Sequence, residues 1–242
     1  MVNNTSVRIN DTSLRQIQNT GNGTIIIINN KTLNRPISNA SDGTIGITNN
    51  GTMETDITNN TESSEGGITF KNKQKFTGKL INANSGSIFA DNQGIWNNTG
   101  NSVLTNLQNT TGTIIFPQVF ETNAGDKGLY HTITVNGNYT GGGQIYVNTV
   151  WNKDGTSYSD RIDIHGDVDG APTTVRTLNG IYGDVTLKEI PIHSAVVVHV
   201  AGKSSGNDFT GSSPTTNAGE AQLKKIRFYF RNRLCMDINC TK

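Results

Sequence analysis

The sequence has little with which to build a thick apolar centre. Only 33% of its 242 residues are hydrophobic, so a core several layers deep is excluded and a thin one, filled by a few inward aliphatics per unit, is expected. Charge is scarce as well, with 20 Lys and Arg against 19 Asp and Glu for a net charge of +1. That balance supplies no field to draw the chain to nucleic acid or to an anionic membrane. Low net charge combined with plentiful Ile, Val and Thr also argues against disorder, which a low hydrophobic content alone would allow. No apolar run approaches the roughly 20 residues that span a bilayer, so no membrane insertion is expected. Val2-Asn3-Asn4 is no signal peptide. Two cysteines, Cys235 and Cys240, stand in Cys-Met-Asp-Ile-Asn-Cys. They are close enough to form a small disulfide loop, with free thiols as the alternative, and zinc would want further ligands where no histidine lies nearby.

What the chain does have is Gly, Asn and short alternating segments. Gly23-Thr24-Ile25, Gly43-Thr44-Ile45, Gly67-Ile68-Thr69, Gly86-Ser87-Ile88 and Gly112-Thr113-Ile114 form a loose repeat, its glycines 20, 24, 19 and 26 positions apart. Each places a glycine turn before a β-branched strand, as one repeating supersecondary unit would. Further strands are predicted at Gln144 to Val150, Asp160 to His165, Thr173 to Leu178 and Ala195 to Val200, with no helix-period segment between them. Parallel strands stacked about 4.8 Å apart complete each other's hydrogen bonds. Roughly ten coils of 20 to 25 residues would make a rod on the order of 50 Å long. Asn suits the turns, and its amide can stack in ladders from coil to coil. Trp96 and Trp151 are expected in the core or at coil edges. The apolar run Ile25 to Ile28 predicts a strand under a packed loop, with an exposed binding patch as the alternative. Residues 51 to 66 and 121 to 128 are candidate protrusions, where a recognition surface would lie.

From Tyr139 to Phe209 the order of features resembles the end of the secreted passenger of pertactin-like, type V autotransporters. The features are the turn Gly141 to Gly143, the strand Ile145 to Val150, Ser159-Asp160-Arg161, the strand Ile162 to Ile164, Gly166 and the turn Asp169-Gly170. Upstream, Gly94-Ile95-Trp96-Asn97 followed by Ser102 to Leu107 looks like the tryptophan-bearing coil that precedes this region in the same family. The resemblance implies an all-β, right-handed parallel β-helix. Residues 1–119 would be passenger coils and 120–242 a C-terminal autochaperone-like region that folds first and templates the rest, in one continuous solenoid. It also implies secretion to the bacterial cell surface or beyond, through the outer membrane, with a signal peptide before and a membrane barrel after this stretch. The Asn-rich character is similar to Bartonella autotransporters, including their angiogenic-factor group. It implies a virulence factor that binds a host cell-surface protein, such as an endothelial growth-factor receptor. An adhesin for matrix or epithelium and a polysaccharide-acting enzyme are the alternatives.

Catalytic chemistry finds no foothold, and no catalytic, cofactor-binding or metal-binding residue is assigned. The Gly-Asp-Ser-Gly segment of the serine-protease autotransporters has no match, and Gly211-Ser212-Ser213-Pro214 lacks the Gly-X-Ser-X-Gly turn. His131, His165, His193 and His199 are scattered and read as structural. Asp160, Asp163, Asp167 and Asp169 are the densest acidic group; they read as solvent-facing turn carboxylates, with a calcium loop as the rival. Leu223 to Arg233 concentrates cations and aromatics, and is expected to be an edge strand closing the core, with sulfated-glycan binding as the alternative.

Overall fold

Alternation along each strand decides the architecture. In Thr44–Asn49, Ile45 and Ile47 are buried and Thr44 is exposed; in Gly67–Asn72, Ile68 and Phe70 are buried and Thr69 is exposed. Strands of three to six residues, apolar on one face only, must find both their hydrogen bonds and their apolar cover in neighbouring coils. A computed structural model describes residues 5–7, 16–152, 154–183, 195–215, 220–228 and 231–238, and it shows that arrangement: a parallel β-helix of three sheets around one narrow core.

The first sheet stacks Thr5–Val7, Thr24–Asn29, Thr44–Asn49, Gly67–Asn72, Ser87–Asn92, Asn106–Gln108, Tyr139–Gly141 and Val168–Gly170. Strands from Thr32–Leu33 to Phe209–Thr210 make the second, through Ile95–Asn97, Gln144–Trp151 and Thr173–Gly183. The third runs from Ile17–Asn19 through Ser102–Leu104, Thr132–Val135 and Arg161–Ile164 to Ala195–Val200. Register is strict in the early coils, where Ile25, Ile45, Ile68 and Ile88 stand in one column. A single continuous core runs from Ile17 to Ala221. Phe70, Phe76 and Trp96 form an aromatic chain inside it, with ring centroids 4.8 and 5.9 Å apart. Trp96 Nε1 donates to the Gly78 carbonyl at 2.9 Å, and Trp96 and Trp151 are both 1% exposed.

Asparagine ladders hold two of the corners. Nδ2 of Asn29 donates to Oδ1 of Asn49 at 2.7 Å, Asn49 to Asn72 at 2.9 Å, Asn72 to Asn92 at 2.8 Å and Asn92 to Asn109 at 2.8 Å. The same amides bond carbonyls across the corner, those of Thr52, Lys75, Ile95, Thr113 and Gln144. Asn39, Asn59 and Asn82 make a second, shorter ladder at 3.1 and 3.0 Å. A carboxamide carries both donor and acceptor, so it can pass one bond up and receive one from below; few other side chains can fill such a column.

Several expectations are corrected. Gly112-Thr113-Ile114 does not continue the column of the first sheet: Thr113 pairs with Ile95 in the second, and Phe89 is paired instead by Asn106. Thr52–Glu54 and Ile57–Asn59 are coil strands with Met53 and Ile57 fully buried, so of residues 51 to 66 only the stretch after Asn59 is a loop. Ile26 is 39% exposed, and its side chain leans over Gly46, where an added Cβ would meet Ile26 Cδ1 at 3.0 Å. The later coils exceed roughly 20 to 25 residues, as the pairings Leu107 with Tyr139 and Ile162 with Val198 require. In the first of these the excess lies between Thr113–Ile115 and Thr132–Val135, off the three sheets. Finally, Glu220–Phe228 is not an edge strand: it lies between Arg231–Ile238 and Ser212–Pro214, antiparallel to both. This antiparallel set joins the third sheet through Ala195–Val200 and ends its parallel stacking. Cys240 and His193, and with them the disulfide, lie outside the described residues.

Candidate functional site

The C-terminal coils differ from the earlier ones in carrying structure on their outside. Between Thr113–Ile115 and Thr132–Val135 the chain leaves the wall and makes two short 3-10 turns, Glu121–Asn123 and Lys127–Leu129. This flap is the predicted protrusion at 121 to 128, extended on both sides. It packs Val119 and Ala124 on Val150 and Tyr182, with Leu129, Tyr130 and Tyr158 at the margin, as a cluster separate from the main core.

One buried polar pair pins both ends of the flap. Asn148, on the strand Gln144–Trp151, donates through Nδ2 to the Pro117 carbonyl at 2.7 Å and accepts the Val119 N–H at 3.0 Å. Asp160 is fully buried and accepts from the His131 N–H at 2.7 Å, and from the Asn148 N–H and Nδ2 at 2.8 and 2.6 Å. The pair therefore grips residue 117 at one side and residue 131 at the other. The Tyr130 hydroxyl adds a bond to the Ala124 carbonyl at 2.7 Å. Asp160 belongs to Ser159-Asp160-Arg161, and its place corrects the expectation of a solvent-facing turn carboxylate. Burial pushes its carboxyl up to about 6, against the pull of the three N–H donors.

That shift has a sign that can be tested. The folded state holds the Asp160 proton more tightly than the unfolded chain, whose carboxyl titrates near 3.8. Below that both states are protonated; above about 6 only the folded state keeps a buried anion, so stability from this group falls as pH rises between the two, by up to about 3 kcal/mol. In Asp160→Asn an NH₂ would have to face either the His131 N–H or the two Asn148 donors, at a cost of about 2 kcal/mol, and this slope would vanish. Urea titrations should show the gap between wild type and variant widening from pH 7.5 to 4.5; a constant gap would contradict the assignment.

The other acidic residues go separate ways. Asp163 faces outward on Arg161–Ile164 and meets His199 Nδ1 at 2.5 Å, Arg161 at 3.5 Å and His165 Nε2 at 3.9 Å. His199 is 9% exposed, and its Nε2 has no partner among the described residues. Asp167 accepts the Lys203 N–H at 2.8 Å, and Asp169 is exposed. No group of three His, Cys, Asp or Glu side chains able to hold a metal lies together among the described residues. His131 is half-buried at the end of the flap, and burial, with Lys79 nearby, lowers its imidazole from the usual range.

In the same C-terminal coils the main core is tied tightly. Tyr139 is fully buried, its hydroxyl 2.9 Å from Thr173 Oγ1 and its ring stacked on Phe209 at 5.6 Å, and burial pushes the phenol up to about 12. Gly166 stacks directly on Gly137; a Cβ there would stand 2.5 Å from the Gly137 carbonyl oxygen, so only glycine fits that corner. The Asn148–Asp160 pair was missed from sequence. Its one signal is an asparagine at position 148 flanked by Val147 and Thr149 in a strand that ends on Val150 and Trp151.

These features define a class: a parallel β-solenoid whose last coils are cross-tied, flap-covered and closed by antiparallel strands. Residues 102–221 match the family model for Autochaperone Domain Type 1. The match supports an autotransporter passenger-type region, and with it a protein of the secreted, outer-membrane-exported kind. No curated protein matches the chain significantly.

Proposed function

We propose that this chain is the working end of a secreted passenger that engages a host cell-surface protein without catalysis, its C-terminal coils serving as the fold's template. The autochaperone match over a continuous parallel solenoid carries this reading. Supporting it, the outward columns of the first sheet are mostly small and polar: Thr24 meets Thr44 at 2.9 Å, and Lys71 pairs with Asp91 at 3.1 Å. A long, flat face that is mostly polar, with Ile26 and Phe89 exposed in one of its columns, suits a macromolecular partner better than a small substrate. The partner class we favour is an endothelial growth-factor receptor, which makes the protein a pro-angiogenic virulence factor.

The test adds the soluble chain to endothelial cells, with pull-down and receptor phosphorylation as readouts. Receptor capture with phosphorylation supports the reading. Capture without phosphorylation reduces it to an adhesin, and turnover of a glycan panel would replace it with an enzyme.

A further inference from the structure

A cleft of about 330 Å³ opens where the flap, the short strand Ser157–Ser159 and the third sheet meet. Its lining includes Lys127, Tyr130, Thr132, Ser157, Tyr158 and Arg161. Two properties set it apart. Among the described residues it is lined by two cations and no carboxylate, whereas the cleft of about 830 Å³ beside the C-terminal strands sets Arg176 against Glu220, and that of about 390 Å³ at the other side of the flap carries Glu121 and no cation. And Arg161 is only partly used by the fold: one end of its guanidinium reaches Asp163 at 3.5 Å, while Nε is out of solvent with no hydrogen-bond partner among the described residues.

We propose that this cleft binds an acidic saccharide unit, one bearing a carboxylate or a sulfate, and so names the chemistry by which the host surface would be met; the inference rests on the host-engagement reading. The register places Arg161 beside Thr132 on the outward face of the third sheet, and the flap brings Lys127 to the same opening. A planar guanidinium and an ammonium converging on one space form charge-assisted bonds to a carboxylate or sulfate. Tyr130 and Tyr158, with ring centroids 6.0 Å apart at 47°, give the walls apolar faces for the sugar ring's C–H groups, and Ser157 and Thr132 add hydroxyls for its polar rim. The volume is at the small end of ligand pockets, fitting one or two rings rather than a long chain.

The site also explains why the flap is held so firmly. Lys127 and Tyr130 come from the flap and Arg161 from the wall, so the cleft exists only while Asn148 and Asp160 hold both flap ends.

The experiment titrates the intact chain by calorimetry with sialyllactose, a heparin-derived tetrasaccharide, neutral lactose and inorganic sulfate. Saturable binding of one or both acidic saccharides, with lactose and sulfate at least tenfold weaker, is expected; the two acidic probes tell carboxylate from sulfate. Lys127→Glu, an exposed change, should weaken it at least tenfold with an unchanged melting temperature, and Arg161→Gln should do the same. Absence of saturable binding, or binding that survives both substitutions, would overturn the proposal. If the wild-type chain still captures its cell-surface partner while no saccharide binds, this inference fails and the host-engagement reading stands. If saccharide binds but cells are not engaged, the reverse holds.

Discussion

Removing residues 120–242 should leave the remaining coils without a cooperative unfolding transition. In the intact chain Leu104, Leu107 and Ile114 are covered by Val135, Tyr139 and Ile145 of the next coil, in register on all three sheets. The truncation uncovers these three apolar residues and bares three parallel strand edges together. In a solenoid each coil is stabilised chiefly by its neighbours, so loss at one end propagates. The surviving coils are short, ladder-bonded and thin-cored, and the tight ties at Tyr139, Thr173 and Phe209 are gone. A melt followed by circular dichroism should show a shallow, non-cooperative loss of strand signal, while residues 102–242 alone should keep a sharp transition. A sharp melt of residues 1–119 within a few degrees of the full chain would show that the early coils need no template.

The second large effect is expected at Asn72. Its carboxamide accepts from Asn49 at 2.9 Å and donates to Asn92 at 2.8 Å and to the Ile95 carbonyl at 3.0 Å, with no exposure at all. Asn72→Ala therefore strands one buried donor, one buried acceptor and one part-buried carbonyl, and at about 1–3 kcal/mol for each group left unmade the loss should reach about 3–5 kcal/mol. Asn50 is the control. It follows Asn49 in the preceding coil and bonds Asn30 at 2.9 Å on the outer side of that corner, so Asn50→Ala should change stability by no more than about 0.5 kcal/mol. Chemical denaturation of the two variants should separate buried ladder from surface ladder by several-fold, and equal effects would refute the ladder's role.

The sequence made the coil legible because a period of two and a repeated glycine corner are local signals. Gln144–Trp151, Arg161–Ile164 and Ala195–Val200 stand close to where alternation put them. The glycine repeat misled at Gly112 because a Gly-Thr-Ile segment marks any tight corner before an inward β-branched residue, and the solenoid turns such corners into more than one sheet. The coil that should have opened on glycine opens instead on Leu104-Thr105-Asn106, with the Thr105 hydroxyl accepting the Ile88 N–H at 3.0 Å. Cations and aromatics made residues 223 to 233 look like a guarded edge. A register that adds Ser212–Pro214 outside it is a long-range fact that no local pattern encodes.

The site was less legible than the fold. Asp160 sat among other aspartates and looked like one of them, yet it alone is sunk beneath the flap. Its partners are two backbone N–H groups and a carboxamide 12 residues upstream, so neither composition nor spacing marks it. Lys127 and Arg161 are likewise distant in sequence and meet only because the flap folds back on the wall.

Native-state hydrogen exchange asks most directly whether the C-terminal coils anchor the solenoid. Amides of Ile133, Tyr139, Ile162 and Val175 should exchange only through global unfolding, and those of Ile37 and Ile45 by easier, partial opening from the far end. Equal protection along the chain, or the strongest protection in the first coils, would contradict it.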